Sequence, residues 1–507
     1  MTDARDLAVV IPTRDRWAIL GRTLAALRMQ TVQGFEIVVV VDGTDQTPPP
    51  LDGVSLVVVP HGGPAAARNA GVKSTTRRLV LFLGDDMIPD PTLVAEHLAV
   101  HARGDATTAV LGRVEWHPDV AADRVARWLD WSATQFDYAS IQGEVAGFGH
   151  FYSCNVSLPR SLFMAVDGFD ESFGYYYEDL DAGRRLADAG MQLRYAPAAV
   201  ARHLHRYDLP AIQRRFAGIA TGERTMADKH PWFQPYFRDR VVGALVEPPV
   251  PGAWARMADL PLPSPLRRRV RKRANRWWYQ QVGDSFLDTW EGERGLAELR
   301  EYLGDAYDER RLREHMHEVE REEAEAPDEA TFYRTSESYL YDLTVFAMSG
   351  TKSPYLRDLR RQVPPGSRLL DYGCGIGSDG LRLIELGYQV SFADFTNPST
   401  AFLRWRLDRR EKVAEVFDVD GEVPTGFEAV YCWDVIEHID DPFAFLANLE
   451  RRAAVVAVNF LEPAEHDVHV HKPLPVKELL DHVNRHQVLS YRRYYERSHV
   501  VVYRTTP

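Results

Sequence analysis

The sequence predicts a chain of two α/β domains joined by a helical connector. Three observations carry this. Short β-branched apolar runs alternate with helical patterns over residues 7–110, and a second alternation starts at Ser367 and runs close to the C-terminus. Residues 240–265, between the two, are rich in proline and read as a linker, and Leu266 to about Ala326 reads as charged helix. The length of 507 residues, with 45% hydrophobic residues, supplies material for two cores. The expected divisions are 1–240, a connector over 241–330, and 331–507.

In the first alternation, Leu7 to Ile11, Glu36 to Val41, Ser55 to Val59 and Leu79 to Leu83 read as buried strands, each bounded by turn residues. Trp17–Met29 and Pro64–Val72 read as helices between them, so a largely parallel sheet is expected. Irregular structure and helices are expected from there to about residue 235. In the second alternation, Leu369-Leu370-Asp371 reads as a strand end, followed by a glycine-rich turn and a helix through Leu386. Further strands end near Asp394, at Phe417-Asp418-Val419, and near Cys432.

Composition excludes several classes. A net charge of -13 argues against a general nucleic-acid binder, which needs a surplus of Lys and Arg. Cys154, Cys374 and Cys432 are too few and too scattered for a disulfide framework or a cysteine zinc site, so a reducing, cytoplasmic setting is expected. No signal peptide and no apolar run of about 20 residues is visible, so a membrane-linked partner would be met from the cytosolic side.

The first chemical motif is Gly84-Asp85-Asp86 after the fourth strand, where loop carboxylates can converge on a cation and a diphosphate. Alone, such a pair is more often a helix cap or a solvated turn. Its companions are ordered. Val9-Val10-Ile11-Pro12-Thr13-Arg14-Asp15-Arg16 opens the domain and Asp42-Gly43 ends the second strand. Ala67-Arg68-Asn69 precedes the acidic strand, and Gly168-Phe169-Asp170-Glu171, Tyr177-Glu178-Asp179-Leu180-Asp181 and Ala201-Arg202-His203 follow it. This set resembles the family-2 glycosyltransferases of GT-A fold over roughly residues 5–210. The resemblance implies an inverting transfer from a nucleotide-diphosphate sugar to a saccharide or lipid-linked acceptor, with a divalent metal (Mn or Mg). It places Pro12, Thr13, Arg16 and Asp42 at the nucleobase and ribose, and Arg68 near the nucleotide or diphosphate. Asp85 and Asp86 form the metal-binding motif, with Asp86 the direct ligand. His203, or His205 in its stead, would help hold metal or diphosphate. Asp179 is the expected general base, with Glu178 the alternative. Many relatives carry an acid where this chain has Gly84.

The second motif is Asp371-Tyr372-Gly373-Cys374-Gly375-Ile376-Gly377. The glycines allow a tight turn and close approach of backbone to a ligand. Gly375-Ile376-Gly377-Ser378-Asp379-Gly380 also satisfies the G-x-G-x-x-G pattern of NAD sites, and Asp394 suits a ribose under either reading. Asp371 before the turn, Asp418 after the third strand and Trp433-Asp434-Val435-Ile436-Glu437-His438 after the fourth tip the balance. Together they resemble the class I methyltransferases over about residues 331–507, a Rossmann-like fold using S-adenosylmethionine. The resemblance puts Asp371, Gly373, Gly375, Asp394 and Asp418 around the cofactor, with Tyr339 and its neighbours closing over it. For methylation of a saccharide hydroxyl the candidate bases are His438 and His469, with His471 as an alternative to the latter; Glu465–His471 also reads as a metal site or a polar loop.

Leu266–Tyr279, with seven Lys and Arg residues and a Trp277-Trp278-Tyr279 end, reads as a solvated helix with buried tryptophans or as a peripheral contact with anionic lipid. The expected whole is a bifunctional glycosyltransferase and methyltransferase. Its rivals are a saccharide-binding first domain that recruits substrate to a methyltransferase, and a second domain that is an NAD-type sugar reductase.

Overall fold

A computed structural model describes residues 3–462 and 472–506. The chain forms two compact units: residues 1–237 with 250–281, and residues 238–249 with 282–507.

In the first unit Ser55–Val59, Glu36–Asp42, Leu7–Thr13 and Leu79–Leu83 lie side by side in parallel, in that order. The near-continuous apolar runs have a period-2 explanation: both faces are covered. Val10, Val38, Val40, Val80 and Phe82 pack with the helix Gly63–Ser74 through Ala67 and Val72. Val9, Ile11, Val39, Leu79 and Leu81 pack with Leu20, Leu24 and Leu27 of the helix Trp17–Arg28.

The sheet then continues where irregular structure was expected. Asn155–Pro159 adds antiparallel to Leu79–Leu83, followed by Thr108–Trp116, Gln192–His203 and Met87–Pro89, so the sheet is mixed rather than largely parallel. Asn155 and Ser157 made that central strand read as a loop. Both are fully buried, and each is satisfied by an imidazole: His97 Nε2 lies 3.0 Å from Asn155 Oδ1, and His97 Nδ1 and His101 Nε2 each lie 2.8 Å from Ser157 Oγ. Burial pushes the His97 imidazole down to about 4, so it stays neutral and serves as a structural hydrogen-bonding group.

The second unit is doubly wound. Val416–Asp418, Gln389–Asp394, Arg368–Tyr372, Phe427–Cys432 and Ala453–Leu461 run in parallel, and Ser498–Arg504 with Gln487–Tyr494 closes the edge as an antiparallel pair. The chain reverses direction across the sheet beside Arg368–Tyr372, and the crevice at such a switch point is where ligands bind in open α/β sheets.

The expected linker contains the helices Tyr236–Leu245 and Ala253–Met257, and the basic segment opens a 40-residue helix, Ser264–Leu303. Within the first unit Val270, Ala274, Trp278 and Tyr279 are buried; Trp278 stacks on Trp128 at 5.0 Å, and Asn275 accepts from Trp128 Nε1. The aromatic end of the segment is thus spent on packing, while Arg267, Arg268, Arg269, Lys272 and Arg273 are exposed. Within the second unit the same helix supplies Asp284, Glu291 and Glu298 to a buried arginine network, in which Glu298 bonds both Arg406 and Arg410 at 2.7–2.8 Å.

Candidate active sites

The first site is a cavity of about 480 Å³ at the carboxyl ends of the parallel strands, lined by Pro12, Thr13, Arg16, Asp42, Arg68, Asp85, Asp86, Glu178, Asp179 and His203. Strand pairing explains one convergence. Met87 is in register with His203, so the last residue before one edge strand meets the last residue of its antiparallel neighbour. His203 Nε2 lies 3.5 Å and His205 Nδ1 3.1 Å from Asp86 Oδ2, and the three donor atoms lie within 4.8 Å of one another. One carboxylate and two imidazoles suit a divalent cation.

Arg16 spans both acids, donating to Asp85 Oδ1 and Asp86 Oδ2 at 2.7 Å each, and Thr13 Oγ1 donates to Asp85 Oδ2 at 2.8 Å. The two carboxyls respond oppositely. Burial, then the Asp86 charge, pushes Asp85 up to about 6. Burial also acts to raise Asp86, but the charges and hydrogen bonds of His203, His205 and Arg16 outweigh it and hold the group well below the usual range. Asp42 is committed to backbone: it accepts from Gly62 N at 2.8 Å and from Gly63 N, with His61 Nδ1 at 3.0 Å. A side chain at Gly84 would meet Asp86 Oδ1 at 3.2 Å and Met87 Cγ at 3.0 Å, so an acid there would crowd the donor set that the histidines complete.

Glu178 and Asp179 begin the helix Glu178–Asp188. Tyr176 and Tyr177 before them sit at φ +65° and +72°, a conformation that costs about 1–3 kcal/mol per non-glycine residue. Tyr177 is held there by its bond to Glu223 (2.8 Å), and the Tyr176 ring by the Arg215 guanidinium at 5.3 Å. The strain turns both acids into the cavity. Arg68 Nη1 donates to Glu178 Oε1 at 3.0 Å and Asp179 Oδ2 accepts from Ser153 N at 2.9 Å; the other oxygen of each acid, Glu178 Oε2 and Asp179 Oδ1, is buried with no hydrogen-bond partner. Burial, then the Asp179 charge, pushes Glu178 up to about 7 against the pull of Arg68; burial raises Asp179 as well.

Arg215, Tyr207, Gln135 and Ser153 also line this cavity and were not singled out in the sequence. Arg214-Arg215 reads as a solvated helical face, and Ser153 acts through its backbone, so neither carries a local signal.

In the second unit Gly373, Gly375 and Gly377 all have positive φ (77°, 51° and 70°), and a Cβ at Gly377 would strike Leu403 Cδ1 at 2.3 Å. Asp394 holds this turn, accepting from Gly375 N and Phe395 N at 2.7 Å each. Asp418, in register with Asp394, accepts from Thr396 Oγ1 at 2.6 Å. Trp433 Nε1 and both oxygens of Glu437 are buried beside the turn with no hydrogen-bond partner, and Asp371 and Tyr431 face each other there. Lys352 Nζ stands 3.8 Å from Asp379 and from Asp434, one cation against four carboxyl groups. Burial and the Asp379 charge push Asp371 up to about 8, and burial and Asp434 push Glu437 up to about 8. An acidic pocket, four carboxyl groups to one lysine, beside a glycine cradle fits a cationic ligand. Of the expected bases, His438 Nδ1 lies 3.0 Å from Tyr333 OH, and Tyr333 and Tyr339 pack at 5.8 Å. His469 and His471 lie outside the described residues. Lys352 and Tyr431, which the sequence reading missed, sit in a helix-start turn and a buried strand with nothing local to mark them.

Comparison with known proteins agrees with this geometry. Residues 8–165 match the family model "Glycosyl transferase family 2", and residues 348–497 match "Methyltransferase domain". A validoxylamine A glucosyltransferase of Streptomyces hygroscopicus subsp. jinggangensis is 32% identical over 224 residues, covering 37% of this chain and 52% of the relative. A pre-mycofactocin glycosyltransferase of Mycobacterium tuberculosis is 30% identical over 250 residues, covering 45% and 48%. The chain thus spans about half the length of these curated relatives. A ubiquinone biosynthesis O-methyltransferase of Xanthomonas campestris pv. campestris is 35% identical over 89 residues, covering 16% of this chain and 36% of the relative. The chain therefore joins a family 2 glycosyl transferase domain, within residues 8–165, to a methyltransferase domain, within residues 348–497.

Proposed function

We propose that the first unit transfers a sugar, with inversion, from a nucleotide-diphosphate sugar to an acceptor hydroxyl, and that the second methylates a saccharide hydroxyl using S-adenosylmethionine. The observation that carries the first half is the convergence of Asp86, His203 and Asp179 on one cavity, with His205 Nδ1 3.1 Å from Asp86 Oδ2. A divalent cation on Asp86, His203 and His205 would supply Lewis-acid neutralisation of the departing diphosphate. Arg16 adds positive charge at the same place, and Arg215 on the cavity wall contributes a further cation. Asp179 takes the acceptor proton through Oδ1 while Ser153 N fixes Oδ2, and the acceptor oxygen displaces the nucleoside diphosphate at the anomeric carbon. Glu178, paired with Arg68, positions rather than abstracts.

In the second unit S-adenosylmethionine, when bound, supplies a methyl group on a positively charged sulfur. Asp371, Asp434 and Glu437 offer the negative field for that ligand's cationic part, Gly373 and Gly375 allow its close approach, and Asp394 and Asp418 are placed for its ribose and adenine. The antiparallel closing pair also favours this reading over NAD, since the dinucleotide order 3-2-1-4-5-6 continues in parallel. His438, with Tyr333 on Nδ1, is the proposed base among the described residues.

Among the described residues no helix is long and apolar enough to cross a membrane. For a lipid-linked acceptor, the exposed Arg267–Arg269, Lys272 and Arg273 face is the surface that would meet anionic headgroups. The test supplies both donors, beginning with glucose-bearing nucleotides because a relative is a glucosyltransferase. A product heavier by one sugar plus one methyl is expected. Modification only of unrelated acceptors would reject the link, and donor binding without turnover would favour a saccharide-binding first unit.

A further inference from the structure

A second cluster of metal-ligating side chains lies in the methyltransferase unit, away from the glycine turn. Glu450 ends the helix Pro442–Glu450, His482 lies in the helix Val476–Val483, and His486 follows that helix. Glu450 precedes the strand Ala453–Leu461, so the cluster sits at the amino end of a parallel strand, whereas the glycine turn sits at the carboxyl end of Arg368–Tyr372, two strands away. His482 Nε2 lies 2.9 Å and His486 Nε2 3.3 Å from Glu450 Oε1, with all three donor atoms within 4.8 Å of one another.

We propose that Glu450, His482 and His486 form a structural zinc site. Zinc bonds of about 2.0–2.1 Å at tetrahedral angles separate neighbouring donor atoms by about 3.3 Å, close to the spacing already present. Two imidazoles and a carboxylate are a suitable donor set, and partial exposure of all three (14–21%) leaves room for water as a fourth ligand. Outer partners are in place. Tyr503 OH donates to Glu450 Oε1 at 3.0 Å, and Thr506 N donates to His486 Nδ1 at 3.1 Å, a bond that must give way to Thr506 Oγ1, also 3.1 Å from Nδ1, when the ring proton moves to Nδ1 and frees Nε2 to ligate. Such an ion would clamp the helix Val476–Val483 to the end of the helix Pro442–Glu450.

The test uses the full chain carrying Asp86→Ala, which removes the donor set of the first unit, stripped with a chelator and titrated with Co²⁺. One equivalent with the visible absorption of tetrahedral cobalt, displaced by Zn²⁺, is expected, and Zn²⁺ raises the melting temperature. His482→Gln with His486→Gln should bind one equivalent fewer and lose the thermal shift, while still binding S-adenosylhomocysteine as a check of folding. Glu450→Gln, which keeps an oxygen for both imidazoles, should weaken binding at least tenfold. Equal stoichiometry with and without the two histidines, or an unaltered cobalt spectrum, would overturn the site and leave the cluster a hydrogen-bonded triad.

Discussion

Asp179→Asn isolates proton transfer from everything else Asp179 does. The asparagine oxygen still accepts from Ser153 N, which holds Asp179 Oδ2 at 2.9 Å, so the helix start keeps its anchor. What is lost is the basicity of Oδ1, the buried oxygen with no protein partner. General-base catalysis contributes about 10²–10⁴-fold, so kcat should fall by that factor, or about 2.7–5.5 kcal/mol of barrier. KM for the donor should change little, because the residues proposed to hold diphosphate and cation are other than Asp179. The pH profile sharpens the test. A base works only when deprotonated; burial raises Asp179, and Glu178 beside it is pushed up to about 7. The rate should therefore rise with pH through neutrality, with apparent values belonging to the pair. Asp179→Asn should flatten that limb, and Glu178→Gln, which breaks the Arg68 pairing, should shift it downward. Release of nucleoside diphosphate, followed over pH 5–9, reads all three proteins. An Asp179→Asn enzyme within severalfold of the parent, with the same limb, would refute the assignment.

Other outcomes follow from the same structure. Glu298→Ala leaves Arg406 without its carboxylate and Arg410 with Glu291 alone; their side chains are 2% and 1% exposed, and the loss should cost about 3–5 kcal/mol in denaturant unfolding of the second unit. Gly377→Ala puts a methyl group 2.3 Å from Leu403 Cδ1 at φ +70°; calorimetry should show at least tenfold weaker S-adenosylhomocysteine binding, with nucleotide binding to the first unit intact. A cationic ligand favours the charged form of Asp371, which burial holds up to about 8. S-adenosylmethionine affinity should therefore rise with pH between about 6 and 8 with proton release, measurable in buffers of different ionisation heat, and Asp371→Asn should abolish the release. Asp86→Ala or chelation should remove metal-dependent nucleoside diphosphate release, and His203→Ala should raise the metal concentration required.

The apolar runs of the two parallel sheets were legible because strands covered on both faces must be apolar at nearly every position, as in Leu79–Leu83. The glycine turn was legible for a local reason too: three residues in succession need a backbone that only glycine adopts cheaply. Asn155–Pro159 was not, because its polar residues are satisfied by histidines some 60 residues away, and no window of sequence records that.

By itself, then, the sequence determined two nucleotide-type α/β units, the acids at their strand ends and the turn that opens the second. These rest on periodicity and backbone conformation, which are local. Only the tertiary structure decided what stands beside each acid. Antiparallel pairing of Met87 with His203 brings two imidazoles to Asp86, a strained Tyr176-Tyr177 backbone leaves one oxygen of Asp179 unpartnered, and burial of Trp278 and Tyr279 leaves the basic helix only its cations. Charge state and hydrogen-bond partnership depend on what folding brings near and what it shuts off from water, and neither is written in spacing along the chain.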